Sequence, residues 1–216
     1  MEENFVRLIA QISAYIIILP FLLALLRIRG GNREQKLLSL LIFSSLFFEF
    51  AALAVGQAGL RLNNLFLLHI FTVIEFAFLV LIFRPHLHPV ISRPAGNGII
   101  AAFTVFAIIN SIFFEPLTQF NAFGRAIEAV VVIFLVLLCF SLLLRSLKIR
   151  QPAQSPLIWI SIGTLIYFSG SLFVFIFSNY VLSSPKMSVT IWGIHAFISI
   201  VLKLFYTIAL WVRPKE

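Results

Sequence analysis

Of 216 residues, 61% are hydrophobic and only 11% charged, less than half the roughly 25% of an ordinary soluble domain, which excludes that class. The formal charge of +8 does not point to nucleic acid, because Lys and Arg sit at the ends of apolar runs rather than on one polar face. The single Cys139, inside an apolar run, excludes an intrachain disulfide and any Cys-based metal cluster.

A bilayer core about 30 Å thick needs about 20 apolar residues per helix. In chain order, runs of that kind predict seven spans, over 5–26, 37–55, 65–83, 98–114, 125–144, 157–178 and 189–212. The first follows an acidic start, Glu2-Glu3, where a secretory signal carries basic residues, and it is longer than a signal core. It reads as a retained span. The second and third are separated by Asn63-Asn64. The third and fourth are separated by a Pro-rich stretch beginning at Pro85, the fourth and fifth by a turn with Pro116, and the fifth and sixth by 151–156. No connection is long enough for a separate extramembrane domain. The expected fold is all-α: one integral membrane domain, a polytopic seven-transmembrane-helix bundle over 1–216.

Basic residues orient it. Arg27, Arg29, Arg33, Lys36, Arg84, Arg93, Arg145, Lys148, Arg150, Arg213 and Lys215 fall on one side. The other side holds only Arg7, Arg61, Arg125 and Lys186. The positive-inside rule then predicts an outside N-terminus and a cytoplasmic C-terminus. Trp192 near the outer end of the seventh span, and Trp159 and Trp211 near inner ends, fit interfacial anchoring.

Ionisable residues inside spans are the candidate site, because a charge near the bilayer centre costs about 2.5–3.5 kcal/mol on insertion scales. His69, Thr72 and Glu75 share one stripe of the third span, at helical spacing. His195, Ser199 and Lys203 share one stripe of the last, with Tyr206 close by. At about 1.5 Å per residue both histidines lie below the outer surface, and Glu75 and Lys203 both lie near mid-depth. These stripes are expected to face each other or to line one cavity, with Glu75 and Lys203 as partners. The pair reads either as a buried structural ion pair or as part of a ligand, cofactor or proton site. Glu49 adds a carboxylate in the outer half, while Arg125 and Glu128, three residues apart, are expected to satisfy each other. Ser161, Thr164 and Tyr167 are further polar groups of the sixth span.

The patterns His69-x-x-Thr72-x-Ile74-Glu75-Phe76 and Ile194-His195-Ala196-Phe197, with Lys203 and Ala209-Leu210-Trp211 beyond, resemble small seven-helix membrane proteins of Bacteroidetes-type bacteria. That resemblance implies a bacterial inner-membrane location and no established chemistry. Ser199-x-x-x-Lys203 is similar to the last helix of heliorhodopsins, which implies retinal on a Lys203 Schiff base with Glu75 as counter-ion. The chain departs from that pattern: no Trp stands beside Glu75, and Trp159 lies too near the inner end of the sixth span to flank a retinal ring. Heliorhodopsins are also oriented oppositely. A seven-span plan with an outside N-terminus resembles SWEET and PQ-loop carriers, but no Pro-Gln dipeptide occurs.

The residues support a sensor or receptor-like membrane protein, not an enzyme, with a polar ligand or proton site in the outer half. A retinal photoreceptor or small-solute transporter is the alternative. No metal is expected. The expected partners are the lipid bilayer and a cytoplasmic signalling protein on the basic loops 27–36 and 145–150, with no nucleic acid.

Overall fold

The computed structural model describes residues 2–57, 63–88, 90–146, 152–182 and 185–213, and no side chain of residues 2–5, 7, 57, 146, 179–182 and 185–187. Arg61, Lys148, Arg150 and Lys215, and the side chains of Arg7 and Lys186, lie outside what is described. Within it the chain is helical: α1 (Glu2–Tyr15), α2 (Ile18–Gly30), α3 (Arg33–Gln57), α4 (Leu65–Phe83), α5 (Arg93–Phe113), α6 (Ala122–Ser146), α7 (Pro156–Leu182) and α8 (Pro185–Trp211). Among the described residues seven stretches are long and apolar enough to cross a membrane, and α1 and α2 together make the first, Leu8–Gly30.

Each predicted span appears, and α3 and α5 start ahead of their apolar runs because polar residues cap them. Ahead of α3, the Asn32 side-chain oxygen accepts from the Gln35 amide at 2.9 Å, and the Gln35 side-chain oxygen accepts from the Asn32 amide at 3.2 Å. This reciprocal capping box starts the helix four residues before the apolar run does. Ser92 caps α5 by accepting from the Ala95 amide, with Pro94 in the first turn, so the fourth span starts before 98.

The first span is broken where one helix was expected. Pro20 has no amide hydrogen, and its ring crowds the carbonyl four residues back, that of Ile16. Instead the Leu19 amide donates to the Ile16 oxygen at 3.1 Å, and the chain turns between Tyr15 and Ile18. This leaves carbonyls at the end of α1 without helical partners.

Helix contacts define a ring. α2 packs on α3, α3 on α4, α4 on α6, α6 on α7, α7 on α8, and α8 on both α1 and α2. α5 stands outside, against α4 and the edge of α6. The tightest seam is α7–α8, where Gly163 admits Phe205: a Cβ on Gly163 would lie 2.6 Å from that of Phe205. Phe76, Leu79, Val132, Val136, Phe168 and Leu210 fill the ring, while Phe47, Phe50, Ile112, Phe134 and Phe173 point outward.

One end of the bundle is tied by side chains on carbonyls. Arg27 donates to the Leu210 and Trp211 oxygens at 2.6 and 3.0 Å, and Gln35 to those of Ala209 and Val212 at 2.9 and 2.8 Å. Arg33 donates to the Leu81 oxygen at 2.9 Å. The final carbonyls of α8 and α4 thus find donors, and two of these are cations where the helix dipole favours them.

Candidate functional site

Between the middles of its helices the ring holds a cavity of about 140 Å³. Its polar wall is Ser45 from α3, Glu75 from α4, Tyr167 from α7, and Ser199, Lys203 and Tyr206 from α8. Ile17 and Pro20 close it at the break in the first span. A second cleft of about 300 Å³ between α3 and α4 shares Ser45 and Phe71 with it and carries Glu49 and Asn64.

Glu75 and Lys203 line this one cavity but are not bonded partners. Glu75 is held by Arg125 of α6, which donates to it from Nη1. Lys203 donates to the Ser13 carbonyl oxygen at 2.6 Å. The expected pairing fails for a geometric reason. Both residues lie near the middle of their helices, but α4 is flanked by α3 and α6 and α8 by α2 and α7, so the two helices stand on different sides of the ring. Each found a nearer partner. For Lys203 that partner exists because Pro20 breaks the first span: an ammonium sits on a free carbonyl at the C-terminal end of α1, where the dipole favours a cation.

Arg125 is the electrostatic centre. Besides Glu75, it donates from Nη1 to Glu128 at 2.8 Å and from Nη2 to the Tyr167 hydroxyl at 3.0 Å. Its guanidinium carbon lies 4.8 Å from the centre of the Phe175 ring, a cation–π contact. The expected local Arg125–Glu128 pair is present, and the same guanidinium spans to a second helix. All three charged side chains are buried. Tyr167 accepts from Arg125, which leaves its own hydroxyl hydrogen available to the cavity that it lines.

The other candidates are placed elsewhere. His69 bridges the Ser111 hydroxyl at 3.0 Å and the Gln119 carbonyl at 3.1 Å, fastening α4 to α5 and to the turn before α6. Thr72 donates to the Leu68 oxygen at 2.7 Å and accepts from Asn121 at 3.2 Å. His195 meets the Ser171 hydroxyl at 3.1 Å in the α7–α8 seam, with the rings of Tyr167, Phe175 and Trp192 around it. Of the sequence candidates, therefore, Glu75, Ser199 and Lys203 share the cavity and Glu49 lines the adjoining cleft, whereas His69, Thr72 and His195 join helices.

Sequence reasoning missed Pro20, Ser13 and the long reach of Arg125. It also missed a buried network at the turn before α6, in which Asn110 donates to Glu115 at 2.9 Å and the Glu115 carboxylate accepts the Phe123 amide at 2.9 Å. The proline within an apolar span, and the acid in the short turn after the predicted fourth span, were the signals available. No family model, curated protein or solved structure matches this chain.

Proposed function

We propose that this protein is a sensor or receptor-like integral membrane protein, its N-terminus outside and its C-terminus cytoplasmic, that takes a small polar ligand in the central cavity. The observation that carries this reading is the convergence of an ammonium, a carboxylate and four hydroxyl-bearing residues from α3, α4, α7 and α8 on one cavity between the middles of these helices. Intramembrane ionisable groups that face a common cavity mark ligand or ion sites. The cleft with Glu49 adjoins the cavity through Ser45 and Phe71 and runs toward Asn64 at the start of α4. About 140 Å³ is below the 300–1,000 Å³ of pockets for drug-sized ligands, so the ligand has few heavy atoms. That volume favours a small solute over a retinal chromophore on Lys203. Exposed Arg29 and Lys36 leave the inner face basic for a signalling partner. A bacterial inner membrane is the proposed location.

Transport is the second reading, and the broken first span favours it. Discontinuous helices whose half-helix ends hold cations at the midplane are a recurrent feature of carriers.

The test is a thermal-shift series on protein in lipid nanodiscs with acetate, methylammonium and glycine. At least one is expected to raise the unfolding temperature, and Lys203→Met or Glu75→Gln to abolish that shift. Wild-type protein indifferent to all three would count against a ligand cavity of this size. Uptake of the stabilising solute into proteoliposomes would favour the carrier over the receptor.

A further inference from the structure

Two carboxylates share one guanidinium here, and the charges do not balance. Glu75 and Glu128 both accept from the same nitrogen of Arg125. Glu128 is fully buried, Arg125 is 4% exposed and Glu75 is 7% exposed, so bulk water does not screen the excess negative charge. A second observation points the same way. The other oxygen of Glu128 is buried and has no hydrogen-bond partner. An ionised carboxylate leaves such an oxygen unpaired only at high cost, whereas a neutral carboxyl does not concentrate charge there.

From this we infer that the Glu75–Arg125–Glu128 cluster is a proton-binding site, which holds one exchangeable proton between its two carboxyl groups while Arg125 stays charged. Uptake forms one carboxyl O–H bond and release breaks it, the electron pair remaining on the oxygen left behind. Glu75 borders the cavity and is the member open to exchange, whereas Glu128 is fully buried.

The other groups that face the cluster do not supply the missing positive charge by contact. On α7, Tyr167 accepts from Arg125. On α8, Lys203 is bound to the Ser13 carbonyl on another wall, Tyr206 meets the Thr164 hydroxyl at 3.2 Å, and His195 meets Ser171. On α3, Glu49 lines the neighbouring cleft and would add negative charge. The inference does not depend on what else occupies the cavity.

Infrared spectroscopy of the protein in lipid tests it, because a protonated carboxyl has a carbonyl stretch separate from that of a carboxylate and shifts on exchange into D2O. At neutral pH the wild-type protein is expected to show one such band. Removing either carboxylate leaves a balanced one-to-one pair with Arg125, so the band is expected to vanish in both Glu75→Gln and Glu128→Gln. It is expected to persist in Lys203→Met. A wild-type spectrum with no carboxylic-acid band overturns the proposal without any variant. A band that survives either glutamine substitution, or disappears in Lys203→Met, overturns the shared proton.

Discussion

Arg125 and Lys203 are both cations in apolar helices, and they solve the cost of burial differently. Arg125 uses a planar fork of donors to reach two carboxylates and a phenol at once, which a lysine cannot do. Lys203 places a compact charge on one carbonyl. Removing the first is therefore the more damaging change. Arg125→Met, which strands the buried negative charge shared by Glu75 and Glu128, is expected to cost about 3–5 kcal/mol in unfolding measurements in detergent. Glu75→Gln is expected to cost clearly less, because the Arg125–Glu128 pair remains. A double-mutant cycle should show strong coupling between Glu75 and Arg125, and clearly weaker coupling between Glu75 and Lys203, which share a cavity wall but no bond. Coupling in the second cycle and none in the first would contradict the partners assigned here. The sequence showed that Lys203 needed a partner but not which one, because a backbone carbonyl has no residue signature. Proline four to seven residues onward is the indirect sign of such a carbonyl.

The decisive element is the first span. A continuous helix there would satisfy its own carbonyls and leave Lys203 without its seat on Ser13. Pro20→Ala restores an amide that can donate to the Ile16 oxygen. Hydrogen exchange at Ile16 to Leu19 is expected to slow in that variant, because the interrupted ladder closes; unchanged exchange would mean that the break does not depend on the proline. α3 and α5 teach a related lesson. Their spans were visible from hydropathy, but their starts were set by Asn32–Gln35 and Ser92, polar residues that hydropathy counts against a helix. On the polar stripe of the third span, Glu75 reaches the cavity, whereas His69 and Thr72, expected to share that destination, turn toward α5 and the turn before α6. A stripe on a helix packed among three neighbours spans more than one interface.

At the scale of the whole molecule, the ring of α1/α2, α3, α4, α6, α7 and α8 creates the cavity, and α5 is its outer buttress. Arg27 and Arg33, two of the residues on which the proposed orientation rests, also hold the bundle together by closing the ends of α8 and α4. The proposed orientation makes a direct prediction. A cysteine introduced at Asn32 should react with an impermeant thiol reagent only from the cytoplasmic side, and one at Thr118 only from outside; the reverse pattern would invert the topology. Native Cys139 is fully buried and is expected to stay unlabelled until the protein unfolds.

Hydropathy and charge spacing were enough to determine an all-helical chain with seven membrane-length segments, because the cost of an unpaired backbone in lipid leaves few other solutions for such a sequence. They also placed Glu75 and Lys203 at one depth, since rise per residue is a local property of a helix. Only the tertiary structure decided who pairs with whom. That depends on the order of helices around the ring and on which carbonyls Pro20 sets free, and neither quantity is written in the spacing of any single helix.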